Sequence, residues 1–288
     1  MVVPLGRWLK EQMEEEEMFD AVVVSDTLIG PLASCALIDA LASSYPSLLH
    51  LVLLRNSVGD LGGRAAAQLV ASSASLNSLE LVDQELTAAV GEPLGHALQT
   101  NTSLKVLHLD YNPLLGSQGL ASLSRGFSWN ESLSTLSLQF CGLDELAGPV
   151  LASAILPFGS LTHLDLYGNR LGVKGVHALL KGLPDATKLH TLNLGDNDAH
   201  SPPSKVARRM VDAMHRTPSL TSLDFSGHLI DDSIARILYA GLEGAPHIVS
   251  FPLTDRMDHD LILAFKSLEK AHAKARRRKR RRPKKKKT

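Results

Sequence analysis

Between Phe19 and Leu253 one short apolar pattern returns nine times. It starts at Phe19, Leu48, Leu76, Leu104, Leu133, Leu161, Leu189, Leu220 and Ile248, at steps of 29, 28, 28, 29, 28, 28, 31 and 28 residues. Residues 161–188 are the clearest copy. Leu161, Leu164 and Leu166 give L-x-x-L-x-L, and Asn169, Leu171, Gly172 and Gly175 follow. Val176, Leu179, Leu180 and Leu183 then fall at i, i+3, i+4 and i+7, one face of a helix. Each unit therefore reads as strand, turn and amphipathic helix. No such unit can bury its own apolar face, so the copies must stack on one another.

The other copies keep the same plan. Asn56, Asn112, Asn169 and Asn197 occupy the turn position, where Thr27, Gln84, Cys141 and His228 stand in the remaining units. Glycine pairs recur at the turn into the helix: Gly59/Gly62, Gly116/Gly119 and Gly172/Gly175. The 31-residue step comes from a lengthened turn at Asp198–Pro203. A strand that returns through a helix to a parallel neighbour does so right-handedly. Helices need about 10 Å of width and strands about 4.8 Å, so the stack must curve with its strands inside. The expected fold class is α/β, a horseshoe solenoid with a concave parallel β-sheet and convex helices. Its expected parts are a capping helix over 1–18, with Leu5, Trp8, Leu9 and Met13 apolar, a domain of about nine units over 19–269, and a disordered polybasic tail over 270–288.

The units LTHLDLYGNRLGVKGVHALL and LLHLVLLRNSVGDLGGRAAAQL resemble the ribonuclease-inhibitor type of leucine-rich repeat, over roughly residues 19–265. That resemblance implies a horseshoe with an asparagine ladder, in which the amides of Asn56, Asn112, Asn169 and Asn197 satisfy turn backbone groups. It implies binding rather than chemistry. The chain is also similar in repeat type to GTPase-activating proteins of the Ran type. On that minor reading Arg55, the sole concave arginine, is the candidate finger.

The formal net charge of zero conceals a split. Eleven Lys/Arg lie between Arg276 and Lys287, so residues 1–275 hold 30 − 11 = 19 basic against 30 acidic residues, a net of −11. The two cysteines, Cys35 and Cys141, form neither a disulfide framework nor a metal cluster, and no cofactor motif is present. No apolar run is long enough to span a bilayer, and the N-terminus reads as neither signal nor transit peptide. The sequons Asn101-Thr-Ser and Asn130-Glu-Ser carry little weight without a secretory route.

In L-x-x-L-x-L the leucines point inward and the residues between them line the concave face. One column runs Val23, Val52, Glu80, His108, Ser137, Asp165, Asn193, Asp224 and Pro252, with Asp26, Asp83, Asp110, Asp196 and Asp255 beside it. Tyr111, Phe140 and Tyr167 come from three consecutive units. The expected partner-binding set is Glu80, Asp83, His108, Asp110, Tyr111, Phe140, His163, Asp165, Tyr167, Asp196 and Asp224. An aromatic centre in an acidic surround suits a basic or Arg-bearing protein; the acids also read as ordinary solvated strand positions. The scattered His and acidic residues show no nucleophile–base spacing, so no enzyme is expected.

The tail residues Arg276, Arg277, Arg278, Lys279, Arg280, Arg281, Arg282, Lys284, Lys285, Lys286 and Lys287 fit nuclear or nucleolar targeting, or contact with nucleic acid or an acidic protein. Cytoplasm or a cytoskeletal surface is the alternative location. The chain is expected to be a protein-interaction scaffold, monomeric when free, with a nucleic-acid- or ribonucleoprotein-associated factor acting through the tail as the alternative. The charge split also suggests that the tail folds back onto the acidic concave face.

Overall fold

A computed structural model describes residues 20–157, 160–199, 202–254 and 257–281. The expected N-terminal cap, Asp255 and the tail from Arg282 lie outside the described residues, as do the side chains of Lys279, Arg280 and Arg281.

Eight strands form one parallel sheet in sequence order: β1 (Ala21–Ser25), β2 (His50–Leu54), β3 (Ser78–Val82), β4 (Val106–His108), β5 (Thr135–Ser137), β6 (His163–Asp165), β7 (Thr191–Asn193) and β8 (Ser222–Asp224). Their register pairs repeat position with repeat position: Leu51 with Leu79, Leu79 with Leu107, Leu136 with Leu164. The ninth unit supplies only a bridge, Ser222 to Ser250, although Ile248 and Phe251 are buried as its pattern requires. Between strands run α1 (Gly30–Ser44), α2 (Gly59–Ser72), α3 (Gly91–Thr100), α4 (Gly116–Ser124), α5 (Ala147–Val150, continued by a π-helical turn to Ile155), α6 (Gly172–Gly182), α7 (Ser204–Arg216) and α8 (Asp232–Glu243); α9 (His259–Arg281) closes the array. The sheet is open, and the chain is a leucine-rich repeat solenoid with helices on its convex side.

The core is a continuous leucine column between sheet and helices. Leu51, Leu79, Leu107, Leu136, Leu164, Leu192 and Leu223 are buried, each worth about 2 kcal/mol of apolar burial. Glycines set how closely units approach. Gly172 turns into α6 at φ +58, and a Cβ on Gly148 would stand 2.2 Å from the Gly175 carbonyl oxygen of the next unit.

The turn ladder is built as the resemblance implies, and three substitutes continue it. Asn169 Oδ1 accepts from the amides of Cys141 and Leu143, while its Nδ2 donates to the carbonyls of Leu138 and Leu166. Asn112 does the same for Gln84 and Leu86. Gln84 Oε1 accepts from the amides of Asn56 and Val58, Cys141 Sγ donates to the Leu109 carbonyl, and His228 Nε2 donates to the Leu194 carbonyl. Burial pushes the Cys141 thiol up to about 12, keeping it a neutral donor. A second ladder uses the sequon asparagines. Asn101 Nδ2 donates to the Val70 carbonyl and Asn130 Nδ2 to the Leu98 carbonyl, and both residues are buried.

The tail departs from expectation. Residues 270–281 belong to α9, not to a disordered segment. Leu261 and Phe265 bury against the last unit, with the Phe265 ring edge-on to Tyr239 at 5.4 Å. Glu269 accepts from the Phe251 amide, and the buried His272 donates from Nδ1 to the Ile248 carbonyl at 2.8 Å. Around and beyond these anchors, Ala271, Ala273, Ala275 and the Lys/Arg run are strong helix formers, with cations favoured near a helix C-terminus. Large apolar residues are not the only means of holding a chain down.

Candidate functional site on the concave face

Each strand ends in two adjacent turn positions with opposite fates. From Asn56 to His228 the ladder residue points inward, whereas Thr27 of the first unit stays exposed. The residue before the ladder position (Asp26, Arg55, Asp83, Tyr111, Phe140, Gly168, Asp196 and Gly227 in successive units) adopts positive φ throughout and lies at the concave rim. Glycine accepts that conformation freely and aspartate tolerates it, whereas a bulky aromatic there is an outlier costing about 1–2 kcal/mol. Tyr111 sits at φ 59 and Phe140 at φ 51.

These rings form a ledge. Tyr111 stacks on Phe140 with centroids 4.8 Å apart at 22°, and Phe140 meets Tyr167 edge-on at 5.6 Å and 72°. Glycines of the following units make room for them. A Cβ on Gly168 would come within 2.3 Å of Phe140 Cε1, and one on Gly195 within 2.8 Å of Tyr167 Cδ2. Neither glycine stood out in the sequence, because the rings that need the space lie a full repeat earlier. Tyr111 remains 49% exposed.

The expected acids divide into three kinds. Asp83 and Asp196 are exposed at the rim. Glu80 and His108, paired across β3 and β4, approach to 3.5 Å. Asp110 is a correction: it is only 8% exposed and turns sideways. Its Oδ1 accepts from Ser137 Oγ at 2.6 Å and the Gln139 amide at 2.7 Å, so it braces the next strand end and is not a free rim acid. Asp165 and Asp224 also close their own strands, accepting from the amides of Tyr167 and Ser226. Asp165 Oδ2 additionally receives Gln139 Nε2 and Asn193 Nδ2. Even so, burial holds the Asp165 carboxyl above the usual carboxylate range, helped by the charges of Asp110 and Asp224. His163 is exposed on the same face of β6, its Nδ1 against Thr162 Oγ1 at 2.8 Å.

The face is graded along its length. Val23, Val52, Leu54 and Val82 line the first three units, with Val23 65% exposed, whereas the later units carry mostly polar side chains around Val106 and the aromatic ledge. Arg55 is paired. Its Nε and Nη2 donate to the two carboxylate oxygens of Asp26 at 2.5 and 2.8 Å in an exposed ion pair. The described residues contain no group of three or more potential metal ligands, and no helix among them is long and apolar enough to cross a membrane.

Comparison with known proteins agrees with the geometry. A family model described as Leucine Rich repeat matches residues 100–124 and 160–180. The chain is 32% identical over 213 residues to the ribonuclease inhibitor of Sus scrofa, covering 73% of this chain and 46% of that protein. It is 36% identical over 164 residues to NACHT, LRR and PYD domains-containing protein 3 of Homo sapiens, covering 56% of this chain and 16% of that one. The chain thus spans less than half the length of these relatives. Among solved structures, the leucine-rich repeat-containing protein LegL7 from Legionella pneumophila aligns over 91% of this chain and 94% of that chain at 19% identity, with a TM-score of 0.48. Nine repeat starts, a parallel sheet in sequence order and a buried turn ladder place the chain among the leucine-rich repeat proteins, with repeats of the ribonuclease-inhibitor type.

Proposed function

We propose that the chain is a protein-binding scaffold that takes a basic, Arg- or Lys-bearing partner on its concave face. Tyr111, Phe140 and Tyr167 form the centre, with Glu80, Asp83, His108, His163, Asp165 and Asp196 around them. The observation that carries this reading is the left-handed backbone at Tyr111 and Phe140. Other units place Asp, Arg or Gly there, so the fold has no packing need for an aromatic ring, and strain retained without a packing reason points to use. An aromatic ledge beside carboxylates, half-exposed at Tyr111, suits a guanidinium or ammonium, through ring-face attraction and charge pairing. Leucine-rich repeat proteins bind protein partners, and relatives named as ribonuclease inhibitors make a ribonuclease the first protein probe.

The test is a selection of displayed random peptides on the full chain, with ribonuclease as a parallel probe. The reading expects selected ligands to carry Arg or Lys. It expects their affinity to fall at least tenfold with Tyr167→Ala and to be unaffected by Lys174→Ala. Ligands without basic residues, or indifferent to Tyr167, would overturn it. We further propose nuclear or nucleolar targeting by residues 276–287; a fluorescent fusion that keeps a nuclear location without them would refute this.

A further inference from the structure

The helix that closes the solenoid carries a second surface, unlike the first in sign. On α9, Lys266, Lys270, Lys274, Arg277 and Arg278 are all exposed. At about 100° per residue they fall within an arc of roughly 120°, centred opposite the face formed by Leu261, Phe265, Leu268 and His272. Steps of four residues set the lysines about 6 Å apart along the axis, and the whole row spans about 18 Å. The last acid in the chain is Glu269, and it is engaged with the Phe251 amide on the packed side. The row begins ten residues before the dense run at Arg276, inside the part of the helix held by Phe265, Glu269 and His272.

We propose that this row is a preformed ridge that binds the phosphate backbone of a double-stranded nucleic acid without reading its sequence. Three observations select that partner. The apolar face of α9 is spent against the solenoid, so the helix has no hydrophobic side with which to enter a lipid interface; Leu263, 52% exposed near its start, is the exception. No aromatic side chain accompanies the row, and protein interfaces draw their affinity from such anchors. A polyphosphate needs neither: it rewards evenly spaced, like-signed cations through counterion release. A docked helix also presents those cations without the ordering cost that a disordered tail would meet on binding. The ridge lies on a different element from the aromatic ledge, so the two proposals stand or fall separately.

The test uses the full chain, a fluorescent DNA duplex and an RNA duplex of about two helical turns, and anisotropy between about 50 and 200 mM salt. The variant is Lys266→Gln/Lys270→Gln/Lys274→Gln, which leaves the run after Arg276 untouched and keeps helix-forming residues at all three sites. Circular dichroism checks that the helix persists. The ridge predicts at least a tenfold loss at low salt and a log–log salt slope shallower by about 3, one contact per lysine removed. Tyr167→Ala should leave both unchanged. An unaltered slope in the triple variant would mean that the terminal run alone binds, and would overturn the proposal. Binding to phosphatidylserine vesicles but to neither duplex would overturn it as well.

Discussion

Two columns run side by side from the second unit of this solenoid to the eighth, one residue apart. The inner one, Asn56, Gln84, Asn112, Cys141, Asn169, Asn197 and His228, is buried. In each of those units a side chain answers backbone groups of its own or the preceding turn. The outer one, Asp26, Arg55, Asp83, Tyr111, Phe140, Gly168, Asp196 and Gly227, shares one backbone conformation and almost no chemistry. Buried donors and acceptors must be satisfied, so the inner column admits few residue types. The outer column lies at the surface, constrained by φ and by its neighbours along the rim. Architecture is written in the first and is optional in the second, which is where partner chemistry has room to vary.

The inner column should be the costlier to disturb. Asn169→Ala strands the buried amides of Cys141 and Leu143, and about 2–5 kcal/mol of stability should be lost in denaturant unfolding. Survival of Asn169→Ala with wild-type stability would mean that the ladder is decorative. Gly168→Ala belongs to the outer column and breaks the contrast on purpose. Its methyl group would collide with Phe140 at a φ of +70, so a loss of about 1–2 kcal/mol is expected, together with a change in near-ultraviolet dichroism as the ring moves. A stability loss with an unchanged aromatic signal would leave the seat unsupported.

What could be read from the sequence follows the same division. The leucine spacing set the strand register, and the ladder role of Asn56, Asn112, Asn169 and Asn197 came from the resemblance to ribonuclease-inhibitor repeats. Cys141 and His228 read as gaps in the ladder, since their donor role depends on a carbonyl in the neighbouring unit. Asp110 shares the outward parity of its strand and only the fold shows it turned toward Ser137. The helical course of residues 270–281 was missed because its anchors are a glutamate and a histidine, and because alanine contributes propensity without bulk.

The smallest effect is a pH effect at Asp165. Burial raises that carboxyl above its ordinary 3.8, so the native state binds its proton more readily than the unfolded chain does. The associated stability is present below 3.8 and is lost as pH rises through the raised value. Asp165→Asn should therefore flatten that part of the pH–stability curve and leave stability at neutral pH equal to or above the parent's, while weakening a basic ligand. A variant less stable at neutral pH than the parent would make Asp165 a structural brace first.

The central claim is that adjacent turn residues divide building from binding, and one adjacent pair tests it most directly. Thermal unfolding should be compared for Asn112→Ala and Tyr111→Asn, the latter a residue that accepts the left-handed turn. The account predicts a loss of about 2–5 kcal/mol for the first, through the stranded amides of Gln84 and Leu86, and a change of at most about 1 kcal/mol for the second. Comparable losses in the two variants would contradict it, making Tyr111 part of the scaffold and removing the reason to read the rim as a recognition surface.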